Sequence, residues 1–167
     1  MTDFEGLYRR YAPEVFRFAL YLSGNRSEAE DITSETFVRA WTSSAPIRTA
    51  TVKGYLFTIA RHLHLEGLRR SRRHVEMPET LTETLPDPRI GPDALAERVS
   101  EVAAALRALQ RLPEIDRAAL LMRAADDMPY EEIARALNLS LASVKVRIHR
   151  ARLALREPGE RTQGEST

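Results

Sequence analysis

The segment Ser140 to Arg156, S-L-A-S-V-K-V-R-I-H-R-A-R-L-A-L-R, holds Lys145, Arg147, Arg150, Arg152 and Arg156 and no carboxylate. Cations without counter-charge suit a polyanion. They pair with phosphate oxygens, and a guanidinium can also span the edge of a guanine. Val144, Ile148, Ala151 and Leu155 recur at the spacing of one helix face, so one side can sit on a core while the other offers charge. A basic helix can also be no more than a solvated face. The context favours the DNA reading. Met128 to Leu137 reads as a shorter helix, Asn138-Leu139-Ser140 as a tight turn, and the whole as a helix-turn-helix.

A second basic block lies in Thr51 to His74, with Lys53, Arg61, Arg69, Arg70, Arg72 and Arg73 against Glu66 alone. Val75 to Glu101 is the opposite, with seven carboxylates against Arg89 and Arg98. The net charge of +1 hides this segregation. Local fields, screened within about 8–10 Å, matter more to a polyanion than the sum. A third cluster, Glu28, Glu30, Asp31 and Glu35, opens a helix. Its carboxylates either complement the helix dipole or form an acidic patch for a basic partner.

Catalytic patterns are missing. There is no Gly-rich phosphate loop, and His62, His64, His74 and His149 form no H-E-x-x-H arrangement. The chain has no cysteine, which excludes disulfides, thiolate metal sites and thiol redox switches within it. No catalytic residue, metal site or cofactor is expected. The first residues lack the basic and apolar runs of a signal peptide, and no apolar stretch can span a bilayer. A soluble cytoplasmic protein without membrane insertion is expected.

The elements that must position these groups are helical throughout. Leu7, Tyr11, Val15, Ala19 and Leu22 mark a first face, with a kink or break expected at Pro13. Ser27 and Glu30 suggest a capping box for a second helix through Ile32, Phe37 and Ala40 to Trp41. Thr51 can cap a third, with Val52, Leu56, Ile59 and Leu63 inward. Tyr55, Phe57 and Trp41 are expected to pack inside. Val75 to Pro92, rich in acid and proline, reads as a tether. Val99, Val102, Leu106 and Leu109 form a further amphipathic face, and Leu112-Pro113 starts the next helix, with Ala118, Leu121 and Met122 inward. The fold class is all-α, with two small helical domains. Residues 1–74 form the first, 75–94 the acidic linker, 95–157 the second, and 158–167 a disordered tail.

Three passages together resemble the extracytoplasmic-function (ECF) sigma factors of bacterial RNA polymerase. E-A-E-D-I-T-S-E-T-F-V-R-A-W, Glu28 to Trp41, resembles the part of sigma region two that docks on the polymerase clamp. Gly54 to Arg70 resembles the following helix, which reads the minus-ten element. Leu112 to Arg123, with the helix-turn-helix after it, resembles region four. Ser34, His62, Glu66 and Val146 depart from common family residues, which leaves the class intact and blurs the promoter code.

The resemblance implies a non-catalytic factor that binds core RNA polymerase and directs promoter recognition, melting and initiation. Glu30, Asp31, Glu35 and Phe37 would bind the polymerase. Ser43, Ser44, Lys53, Arg61, Arg69, Arg70, Arg72 and Arg73 would contact the minus-ten DNA, including a flipped base of the melted non-template strand. Ser143, Lys145, Arg147 and Arg150 would read the minus-thirty-five duplex, with Arg152 on phosphate. The family also implies an anti-sigma factor as a further partner. The competing reading is a stand-alone helix-turn-helix regulator that uses the second domain alone.

Overall fold

The computed structural model describes residues 4–43, 51–73 and 92–156, with side chains left aside at 72–73 and 92–99. The expectations for Ser44, for the tether up to residue 91 and for the tail fall outside that range. The described residues form seven helices: α1 (Phe4–Ser23), α2 (Arg26–Thr42), α3 (Val52–Arg73), α4 (Pro92–Gln110), α5 (Glu114–Ala124), α6 (Tyr130–Leu137) and α7 (Leu141–Arg156).

The first domain packs α1, α2 and α3 on one another. The apolar spacing on each helix explains this. Val15, Phe18, Ala19 and Leu22 of α1 are buried, as are Ala29, Ile32 and Phe37 of α2 and Leu56, Phe57 and Ala60 of α3. Phe18 and Phe57 stack with centroids 4.5 Å apart. Each large side chain buried here contributes about 1.5–3 kcal/mol.

Three local expectations are corrected in this domain. Helix α1 runs through Pro13 as one helix rather than as two short ones. The proline costs about 3 kcal/mol, and burial of the residues that follow it offsets that cost. Helix α2 is capped by Asn25, not Ser27; the Asn25 side chain accepts from Glu28 N at 2.8 Å. Gly24, at φ 72°, makes the left-handed turn that lets α2 fold back on α1. Trp41 is 52% exposed rather than packed inside. Thr51 caps α3 as expected, its Oγ1 accepting from Gly54 N at 3.0 Å.

The second domain centres on α5 and α7, with α6 against both. Ala118, Met122, Ile133, Val144, Ile148 and Ala151 are buried at this centre. Helix α4 starts at Pro92, inside the stretch expected to be tether; proline is tolerated in a first helical turn. The turn between α6 and α7 depends on Asn138, which takes the left-handed conformation at φ 57° and ψ 50°. Asn reaches it more readily than other residues with a Cβ. Leu139 N then closes the end of α6 on Ala134 O at 2.9 Å. Ser140 caps α7 by accepting from Ser143 N at 3.1 Å.

The domains also touch each other: α5 and α4 lie against α1, and α6 lies against α3. Arg117, only 7% exposed, donates to three carbonyls, those of Leu109, Leu112 and Leu22. The last belongs to the first domain. Burial lowers the Arg117 pKa, while Glu114 works against that shift.

Candidate nucleic-acid interface

Helix α7 presents three stripes. Val144, Ile148 and Ala151 face the core. At 100° per residue, the face opposite them carries Ala142, Val146, His149 and Leu153, and all four are exposed. Lys145, Arg152 and Arg156 flank this ridge on one side, Ser143, Arg147 and Arg150 on the other. The two flanks differ in freedom. Arg147 Nη1 donates to Asp116 Oδ1 at 2.8 Å and its Nε to Ser143 Oγ at 3.1 Å. Arg150 Nη2 reaches Asp116 Oδ2 at 3.3 Å.

Asp116 comes from α5 and is 2% exposed. One buried carboxylate therefore holds two of the predicted base readers. Arg147 keeps 29% side-chain exposure and Arg150 keeps 60%. Arg147 is thus chiefly an anchor of α7 on α5, whereas Arg150 can hold Asp116 and still reach outward. Lys145 leans toward the Tyr130 ring at 5.8 Å and, like Arg152, is exposed. His149, which was not among the expected contacts, stands on the outermost stripe. The available signal was its place three residues after Val146, opposite the apolar spacing.

On α3 the predicted contacts split along the helix. Arg69 and Arg70 are exposed, and Arg72 and Arg73 lie in the last turn. Lys53 and Arg61, by contrast, sit beneath the second domain. Arg61 makes a two-pronged contact with Glu114, Nε at 2.8 Å and Nη2 at 2.7 Å. Lys53 Nζ lies 3.4 Å from Glu14 and 3.7 Å from Asp126. Ser43 is exposed and follows the end of α2.

The acidic face of α2 is also revised. Glu30, Asp31 and Glu35 are exposed as expected. Phe37, assigned to the same surface, is 0% exposed and points into the core. Its place in the α2 repeat, next to Thr33 and Thr36, puts it on the inner side. The outward stripe instead continues from Asp31, Ser34 and Glu35 to Val38 and Trp41, which are 50% and 52% exposed. Neither was among the residues expected to bind the polymerase. Phe4 packs edge-on against Trp41 with ring centroids 5.4 Å apart. Glu30 pairs with Arg26 at 3.2 Å and Glu35 with Arg39 at 3.3 Å, so the patch is less negative than its carboxylates alone. Glu28 faces α3 and meets His64 Nδ1 at 3.0 Å.

Comparison with known proteins finds relatives for both domains. The family descriptions "Sigma-70 region 2" and "Sigma-70, region 4" match residues 7–74 and 103–155. The ECF RNA polymerase sigma factor SigE of Mycolicibacterium smegmatis is 37% identical over 161 residues, covering 94% of this chain and 62% of that protein. RNA polymerase sigma factor YlaC of Bacillus subtilis is 30% identical over 158 residues, covering 92% of this chain and 90% of its own. This chain thus spans under two thirds of SigE but nearly all of YlaC. Among solved structures, the sigma factor RpoE from Bartonella quintana, crystallised with the anti-sigma factor NepR, superimposes with a TM-score of 0.74. It is 26% identical, with 94% of this chain and 96% of that one covered.

Proposed function

This chain belongs to the ECF sigma factors of RNA polymerase, and from that membership we propose how its surfaces share promoter recognition. The α2 stripe of Asp31, Glu35, Val38 and Trp41 docks on core polymerase. A large exposed aromatic beside carboxylates provides both an anchor and electrostatic selection. Helix α7 enters the major groove of the minus-thirty-five element. Its ridge of Val146 and His149 approaches base edges, flanked by Lys145 and Arg150, while Arg152 takes phosphate. Val146 suits a thymine methyl. The segment from Ser43 to Thr51 receives a base of the melted non-template strand, and the cations of α3 flank it.

The observation that carries this reading is the presence of both nucleic-acid elements and the acidic-apolar stripe in one chain, in the family's order. A stand-alone regulator would need only α4 to α7. Each domain alone binds DNA weakly, and joint attachment to polymerase raises the effective concentration of each. Because RpoE was crystallised with an anti-sigma factor, an inhibitor of that kind is a proposed partner here too. Among the described residues no helix is long and apolar enough to cross a membrane. Work alongside RNA polymerase supports a cytoplasmic location.

The test is run-off transcription with core polymerase, with and without this chain, on genomic promoter fragments. Specific transcripts should require it. The same transcripts from core polymerase alone would refute the assignment.

A further inference from the structure

The two flanks of α7 are restrained by different means. Asp116 ties down Arg147 and Arg150, whereas among the described residues Lys145 makes no ion pair. Its ammonium instead lies 5.8 Å from the centre of the Tyr130 ring. Tyr130 is the first residue of α6, half-buried and packed against the core. Arg123, from the last turn of α5, stacks on the same ring with its guanidinium carbon 4.6 Å from the centroid. Arg123 is itself fastened, its Nη1 donating to Met128 O at 2.9 Å. The start of α6 therefore carries a fixed aromatic ring beside α7. The negative face of such a ring attracts a cation within about 6 Å of its centroid. Arg152, on the same flank as Lys145, meets no aromatic ring among the described residues.

We infer that Tyr130 is a positioning residue, its ring restraining the Lys145 ammonium beside the ridge of α7 that faces the minus-thirty-five duplex. An exposed lysine loses rotamer freedom when an interface immobilises it. A ring that already restrains the side chain removes part of that loss before DNA arrives. Tyr130 acts through Lys145, so its contribution disappears when the lysine is absent. The inference rests on the assignment of α7 to the upstream duplex.

The experiment uses the full chain assembled with core polymerase. Its probe is a labelled duplex promoter fragment that supports run-off transcription, titrated with the holoenzyme. Tyr130→Leu should weaken binding about two- to five-fold, the range of an exposed cation–aromatic contact. Tyr130→Phe keeps the ring and should bind like the wild type. In the Lys145→Ala chain, Tyr130→Leu should add nearly nothing. In the Arg152→Ala chain it should keep its full effect, as expected of independent groups. Replacing Tyr130 by increasingly fluorinated phenylalanines keeps an apolar ring while weakening its negative face. Binding should fall stepwise along that series and stay flat along it in the Lys145→Ala chain. Because the ring is retained, the series reports on the contact even where Tyr130→Leu fails to fold.

A flat response to fluorination in the otherwise wild-type chain would overturn the inference. So would a Tyr130→Phe chain as weak as Tyr130→Leu, which would assign the effect to the hydroxyl. Equal losses from Tyr130→Leu with and without Lys145 would overturn it too. The lysine variant separates the two levels. If Lys145→Ala weakens binding and no change at Tyr130 does, the positioning role falls and the reading of α7 stands. If neither Lys145→Ala nor Arg152→Ala changes binding, the reading of α7 falls, and the inference with it.

Discussion

Helices α3 and α7 both carry cations toward nucleic acid, yet their counter-charges come from different places. On α7 the partner is internal: Asp116, from the same domain, holds Arg147 and Arg150. On α3 the partner of Arg61 comes from across the domain boundary, from Glu114, while Lys53 lies between Glu14 of its own domain and Asp126 of the other. An internal partner fixes the geometry of a reader whatever the rest of the chain does. An external partner makes the reader conditional on domain arrangement. If the proposed roles hold, α7 keeps its side-chain geometry from within its own domain, while that of Arg61 on α3 depends on the second domain.

The largest effect tests the platform under both helices. Arg117→Met should remove the shared donor of three carbonyls, of which Leu109 O still accepts from Leu112 N, and lower stability by about 3 kcal/mol, read as a shift in the urea midpoint. An unchanged midpoint would mean that the second domain does not depend on this stitch. Next comes the internal anchor. Asp116→Asn weakens both arginine contacts, and a loss of about 1–3 kcal/mol is expected. Upstream base selectivity should relax with it in footprinting with polymerase. Loss of stability with unchanged selectivity would show that Asp116 holds the helix without aiming its side chains.

Trp41→Ala tests the proposed polymerase face of the first domain. Because the ring is half exposed, folding should change little, while affinity for core polymerase should fall by about 2 kcal/mol. Titration of labelled chain with core enzyme measures it, and an unchanged affinity would move the docking surface elsewhere. Within α7, Lys145→Ala and Arg152→Ala can be compared by binding across a range of salt. Arg152→Ala should weaken all sequences evenly and reduce the salt slope by about one. Lys145→Ala should act more at one base position.

The smallest effect is a pH dependence of stability. Burial raises the Asp126 pKa, Lys53 and Arg17 pull it back, and Glu14 adds to the rise. A carboxylic acid with a raised pKa in the folded chain takes up a proton there before it does in the unfolded chain. Stability should therefore gain as pH falls through that raised value, and the gain should level off below the ordinary carboxylate value of about 3.9. Asp126→Asn should remove this part of the dependence, visible in the urea midpoint measured across pH. A profile identical to the wild type would mean that Asp126 does not titrate between the two states.

Much of the fold was legible because helical spacing is a local property. Val144, Ile148 and Ala151 announced the inner face of α7, and Leu56 and Leu63 that of α3. The Thr51 cap and the turn at Asn138 were equally plain, since each depends on residues a few positions apart. The class of the protein was legible for a related reason, because three motifs in order distinguish a two-domain initiation factor from a lone helix-turn-helix. Local rules failed where a longer-range contact outweighed them. Pro13 did not break α1, because the helix face after it is buried. Phe37 and Trp41 exchanged their expected roles, because the packing angle of α2 on α1 and α3 decides which of its aromatic residues turns inward.

The sequence by itself determined the helices, their inner faces, the segregation of charge and the family. Only the tertiary structure decided which charges meet. Asp116 lies 31 residues from Arg147, and Glu114 lies 53 from Arg61. No periodicity links positions so far apart. Opposite charges can pair across such separations in many ways, and it is the burial of apolar faces that selects one arrangement and brings these carboxylates to these arginines.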